Sequence, residues 1–496
     1  AVEARLLARE AAPSPEPPIT FPPSLSISGL LLEGLTAEQA RATLEQERVK
    51  WLHRPLQLRV GVDLFSLDPA RIGLEVALDE AIAQAEEIAR GGPMDWHTVY
   101  LPVGPPELAS LGRVSGGDIP LRVEFDRGAL RAFLEGLARS CEVPSSSMRL
   151  AVLSDPAAMA ALGVVSPTWS PGEPVPVFLS PRPGRRLDVE RSLSLVEAAL
   201  GDWRRGPVRL LEVEVAAPPA DMALLEQALL EQVRRTPGVV GVYVRDLRTG
   251  QEIGIHSQVL FSGASVVKTA IMLAVFRSLD KPPDRVVAGA LQAMMVFSDN
   301  DAANRLLALI GGGVSADGAE AMTETLVRLG LHRSCMYSPY WGGHCEGPDC
   351  LAQPWPGVVV PAEGELVTDA DPCRFTTPSD MGLLMTYLYQ CSRGEGRILE
   401  TFAGEITVEE CGDMLELMQQ NDDRQRMVAG LPSGVRVAHK SGWIEDMKAD
   451  VGIVFSPGGA YVLSVFVWEK NWLEDAVGNP RVAALSWIVY SFFNPL

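Results

Sequence analysis

Ser265-Val-Val-Lys-Thr-Ala-Ile-Met-Leu-Ala-Val-Phe276 is the stretch on which the reading of this chain turns. Eight apolar or small residues in a row after Lys268 predict a helix buried on all sides. Residues at i and i+3 share a helix face, so Ser265 in the first turn lies beside the Lys268 amine. A lysine among apolar neighbours holds its charge poorly and accepts a proton near neutral pH. Ser265 then reads as a nucleophile with an adjacent base, with a helix N-terminus to favour developing negative charge. Lysine is rare here, 6 among 43 basic residues, which sharpens the pairing.

Two further signals lie downstream in the chain. Ser298-Asp299-Asn300 precedes a predicted helix over 302–309. A hydroxyl at Ser298 can relay a proton to a leaving group, and the Asn300 amide can hold both the lysine and a substrate carbonyl. Ser, Asp and Asn are also the commonest helix caps, so a plain cap is the competing reading. Lys440-Ser441-Gly442-Trp443 closes an alternating strand. Lys440 and Ser441 offer a cation and a hydroxyl to a carboxylate, and Gly442 lets a substrate lie along the strand edge. The backbone N–H groups of Ser265 and Trp443 are candidates for an oxyanion hole.

Working outward, residues 221–496 open with an amphipathic helix, Met222–Arg235, and strands at Val239–Asp246 and Glu252–His256. A helical middle comes next. Strands return at Val435–Lys440, Asp450–Phe455 and Tyr461–Trp468, with a last helix from about Arg481. Strands at both ends of a helical middle predict one antiparallel sheet flanked by helices, with a helical subdomain: α/β (α+β). The N-terminal part divides at proline-rich joints into a tether, 1–23, and an α+β region, 24–218. Thr36 (with Gln39) and Asp126 stand there as helix caps, and a third helix follows Asp188 and leads to a strand over Val208–Val215. The apolar stretch Val482–Phe493 is too short to span a bilayer and reads as a core helix.

Together, Ser265-x-x-Lys268, Ser298-Asp299-Asn300 and Lys440-Ser441-Gly442 resemble the motif set of class A β-lactamases and penicillin-binding proteins over 221–496. The resemblance implies a serine hydrolase that attacks β-lactam amides through an acyl-serine intermediate. By motif position it makes Ser265 the nucleophile, Lys268 its base, Ser298 the relay, Asn300 an anchor, and Lys440 with Ser441 the carboxylate site. The alternatives are a D-alanyl carboxypeptidase or penicillin-binding protein with slow deacylation, and a non-catalytic wall-binding protein that retains the fold. Residues 24–218, through "SISGLLLEGLTAEQARATL" and "IPLRVEFDRGALRAFLEGLA", resemble the peptidoglycan-binding domain found ahead of VanW-type proteins.

The chain departs from the family in the long segment 332–377, which contains no Asn and so lacks the E-x-x-L-N loop whose Glu activates the deacylating water. Glu346, Glu363 and Glu365 are the acids available there, and spacing selects none. Cys335, Cys345, Cys350, Cys373, Cys391 and Cys411 cluster in the last third and read as disulfide cysteines. Zinc ligation by His344, Cys345 and Cys350 is the weaker reading, and no metal or cofactor is called for. Lys448, after the Lys-Ser-Gly turn, reads as a solvated lysine, or else as a second cation for the carboxylate. The 496 residues carry a net charge of −20, which argues against a nucleic-acid partner. Cysteine clustering and the wall-directed resemblance place the protein outside the cytoplasm, with peptidoglycan a candidate partner.

Overall fold

The computed structural model describes residues 19–23, 25–91, 118–155, 174–341, 354–360 and 367–496. The chain forms two compact units: 1–146 with 182–218, and 147–181 with 219–496. The stretch read as one continuous region, 24–218, therefore contributes residues 147–181 to the second unit.

The first unit is built from short strands and capped helices around two small apolar clusters. Its local signals are those expected. Thr36 and Gln39 form a reciprocal capping box, and Asp126 and Asp188 accept N–H groups at the starts of Arg127–Cys141 and Val189–Leu200. The strand expected over Val208–Val215 is split into Val208–Arg209 and Glu212–Val215, which pair with different partners.

In the second unit, β1 (Val239–Asp246), β2 (Glu252–Ile255), β3 (Arg436–Ile444), β4 (Met447–Ser456) and β5 (Gly459–Trp468) form one antiparallel sheet, ordered β2-β1-β5-β4-β3. The two chain ends thus meet in one sheet, and the mixed α/β architecture is as the sequence predicts. Alternation sorts the side chains. Val240, Val242, Val244, Leu463 and Val465 pack against α1 (Met222–Arg235) and the last helix. Tyr243, Ala449, Val451, Ile453 and Phe466 face the helical layer. That layer comprises α2 (Lys268–Ser278), α3 (Arg285–Val296), α4 (Asn300–Ile310), α5 (Ser315–Arg328), α6 (Pro378–Ser392) and α7 (Val408–Gln419). In α2 every residue from Lys268 to Phe276 is buried.

The last helix, α8, spans Asp475–Phe493 and begins six residues before the expected Arg481. Pro480, next to the expected start, lies inside the helix in its second turn. No helix among the described residues is long and apolar enough to cross a membrane.

A disulfide joins Cys391 of α6 to Cys411 of α7, 20 residues apart, with Cα atoms separated by 5.8 Å. Cys335 and Cys373 are also disulfide-bonded, and Cys141 is a free thiol. Cys345 and Cys350 lie outside the described residues. Closing a loop of this length restricts the unfolded chain by about 3 kcal/mol. The double variant Cys391→Ser/Cys411→Ser is expected to lose that amount in denaturant unfolding. A loss under about 1 kcal/mol would mean that the α6–α7 packing alone fixes the pair.

Candidate active site

Ser265 sits in a tight turn that runs into α2. Val266 donates its N–H to Gly263 at 3.1 Å, and Lys268 donates to the Ser265 carbonyl at 3.2 Å. The turn is fixed from below by a small sheet in which Phe261–Ser262 pairs with Arg374–Thr376. Its placement puts the Ser265 hydroxyl 3.1 Å from Lys268 Nζ.

Lys268 is fully buried and is the hub of the site. Its amine lies 2.6 Å from the Ser298 carbonyl, 2.6 Å from Asn300 Oδ1 and 3.2 Å from Ser298 Oγ. Burial, together with repulsion from Lys440 and Arg374, brings its pKa down to about 6, against a smaller opposing pull from Asp299. A neutral amine here is fully matched. Two N–H bonds go to Ser298 O and Asn300 Oδ1, and the lone pair accepts from the Ser265 hydroxyl.

Ser298, Asp299 and Asn300 divide their labour. Asp299 is the helix cap, accepting the Ala302 N–H at 2.6 Å. Ser298 and Asn300 turn to the lysine instead. Of the two readings of the triplet, the helix cap falls to Asp299, while Ser298 and Asn300 contact the lysine. Ser298 holds φ at +58°, a left-handed conformation that costs a non-glycine residue energy and collects at functional sites.

Lys440 comes from the edge strand β3. It is fully buried and donates to Ser298 Oγ at 3.0 Å and to the Ser441 carbonyl at 2.9 Å. Burial lowers its pKa to about 8, with Asp450 and Asp423 pulling the other way. Ser298 Oγ is thus flanked by two amines. Gly442 abuts the Ser265 turn: a Cβ there would lie 3.0 Å from both Ser265 N and Val266 N. A side chain there would press on the backbone of that turn. Trp443 is half exposed and stacked by Arg426, whose guanidinium carbon is 4.7 Å from the ring.

The structure therefore brings Ser265, Lys268, Ser298, Asn300, Lys440 and Gly442 together, with Ser441 and Trp443 adjacent on β3. Glu346, Glu363 and Glu365 lie outside the described residues. Lys448 fits neither expectation. It is buried, not solvated, and donates to the Ile444 carbonyl at 2.9 Å while pairing with Asp475 at 3.2 Å.

Several site residues carried no sequence signal. Arg426 pairs with Asp423, whose carboxyl burial would raise. Arg426, the Gln425 N–H and the Ser441 hydroxyl together hold it below the usual carboxylate range. His439 Nδ1 lies 2.9 Å from Asp450 behind the strand. Tyr340 packs its ring 4.6 Å from Lys268 Nζ and is fixed through Asn304. These residues are scattered over loops and strands, and no spacing pattern links them.

Among solved structures, PBP-A is 21% identical, covering 56% of this chain and 98% of its own, with a TM-score of 0.42. A beta-lactamase from Xanthomonas campestris pv. campestris is 20% identical over 55% of this chain and 98% of its own, TM-score 0.41. One from Desulfarculus baarsii is 18% identical over 56% of this chain and all of its own, TM-score 0.43. A sequence search of curated proteins finds no significant match. The model of the beta-lactamase enzyme family matches residues 224–283 and 281–493, which leaves residues 1–223 outside it. That match covers more than half of the 496 residues and contains all three motifs, and the chain belongs to the beta-lactamase enzyme family.

Proposed function

We propose that the protein is a serine acyl-enzyme that opens β-lactam amides, with Ser265 as nucleophile. The observation that carries this reading is the 3.1 Å contact between the Ser265 hydroxyl and a buried amine whose pKa is brought down to about 6. At neutral pH Lys268 is a base and takes the hydroxyl proton as Oγ adds to the amide carbon. Ser298 Oγ gives its own proton to the departing nitrogen and is resupplied from Lys268, 3.2 Å away. Lys440, 3.0 Å from the same oxygen, supplies positive charge for a substrate carboxylate. The Ser265 N–H, beside Gly442, is placed to receive the developing oxyanion.

D-alanyl peptide stems are a second substrate class. They carry an acyl–amide bond and a carboxylate in the same relation, and β3 is an edge strand that an extended peptide can join. Cell-wall substrates imply an extracytoplasmic site of action, a reading that the Cys391–Cys411 disulfide supports.

Incubation with a fluorescent penicillin, then peptide mapping, is expected to give one covalent adduct on the peptide containing Ser265. Folded protein that takes up no label, or a label mapped elsewhere, refutes the assignment.

A further inference from the structure

Tyr340 has no part in the acylation steps, yet it is fixed against the reacting pair from three directions. It is buried, its ring lies 4.6 Å from Lys268 Nζ, and Arg374 packs its guanidinium carbon 4.2 Å from the same ring. Its hydroxyl donates to the carbonyl of Ala264, the residue before the nucleophile, at 2.7 Å. Its backbone is clamped by a single side chain: the Tyr340 N–H donates to Asn304 Oδ1 at 2.8 Å, and Asn304 Nδ2 donates to the Tyr340 carbonyl at 2.6 Å. A ring so held does not swing aside.

We propose that Tyr340 withholds water from the acyl-enzyme, so that the protein acylates readily and releases the acyl group slowly. The proposal rests on the acyl-serine reading and concerns the second half of that reaction. Release by hydrolysis needs a water whose oxygen adds to the acyl carbon. One water proton passes to a base and on to Ser265 Oγ as the carbon–Oγ bond breaks, giving a free acid and the restored serine. After acylation the Lys268 lone pair no longer receives the Ser265 proton and, among the described residues, is the base beside the ester.

A water must then sit beside Nζ. Ser298 and Asn300 already hold the amine's two N–H bonds, at 2.6 Å each. Beside the amine lies the Tyr340 ring, its centroid 4.6 Å from Nζ. The Tyr340 hydroxyl is no substitute base, because it is spent on Ala264 and burial pushes its pKa up to about 12. Nucleophile, base and relay are assembled, and beside the base stands an aromatic ring rather than a polar group that could hold a water.

The test uses the full chain labelled with fluorescent penicillin and chased with unlabelled penicillin. Acylation rate and thermal midpoint are read on every variant. Wild-type label is expected to persist for hours. Tyr340→Ala opens room beside Lys268 and is expected to release label at least about tenfold faster. Tyr340→Phe keeps the ring, loses only the bond to Ala264, and is expected to release as slowly as wild type.

Wild-type label lost within minutes overturns the proposal, and if Tyr340→Ala fails to fold or acylate, Tyr340→Val, which also vacates the ring's place, is chased in its stead with the same expected release. A Tyr340→Ala variant that acylates but releases at the wild-type rate also overturns it. So does a Tyr340→Phe variant that releases as fast as Tyr340→Ala, since the hydroxyl and not the ring would then be responsible. A wild-type chain that takes no label at all removes the acyl-serine reading instead, which is a different failure.

Discussion

Replacing Lys268 with methionine is expected to slow acylation by penicillin about a thousandfold, the scale of removing a general base. Methionine fills the same apolar channel, so the fold is kept while the lone pair is lost. Lys268→Arg is expected to be as slow for a different reason, since a guanidinium keeps its proton at every accessible pH. The wild-type rate should rise as pH passes through about 6, because only the neutral amine can accept the Ser265 proton. It should fall again above about 8, as Lys440 loses the charge that faces the substrate carboxylate.

Stability carries the same signature. Between about 6 and the ordinary lysine range, the unfolded chain binds a proton at this position that the folded chain does not. Stability therefore rises with pH across that window, and the full burial penalty is felt below it. Lys268→Met removes this slope. Acylation rates flat between pH 5 and pH 9 (the span about those two values), or a methionine variant that acylates normally, would show that Lys268 is not the base.

The candidate site was legible in the sequence because its members lie in three short local patterns. Ser265 and Lys268 are one helical turn apart, and Ser298 and Asn300 flank a helix cap. Lys440 and Gly442 share one strand. Local spacing sufficed for each, and only their convergence needed the fold. The surroundings were not legible, because they rest on contacts between distant segments. Tyr340 reaches Lys268 through Asn304, 36 residues away in the chain. Arg426 reaches Trp443 across a loop, and Asp450 reaches His439 from the neighbouring strand. Lys448 was misread for the same reason: its solvation depended on Asp475 at the start of α8, a partner no local pattern announces. The onset of α8 carried no local signal either: Glu474 caps it without a side-chain hydrogen bond, and Pro480 lies inside it.

Trp487→Ala is expected to lower the stability of the second unit by about 3–5 kcal/mol, the usual loss when a large aromatic side chain is cut from a core. Trp487 lies on α8, is 4% exposed, and packs on Val175 and Val177. Its Nε1 donates to the Pro176 carbonyl at 3.0 Å. These partners belong to the strand pair Arg149–Leu153 and Val175–Leu179, which comes from the N-terminal half of the sequence and from outside the family match. The chain end is tied in as well. Leu496 donates its N–H to Phe178 at 2.8 Å, and its carbonyl accepts from Ser180 at 2.6 Å. Phe178 meets Phe492 edge-on at 5.3 Å. The strand pair thus covers an apolar face of α8, so residues 149–153 and 175–179 are expected to support the unit that carries Ser265. Denaturant unfolding read by the capacity for penicillin labelling measures this directly, since only the folded site takes label. A loss below about 1 kcal/mol would mean that the pair rests on α8 without supporting it.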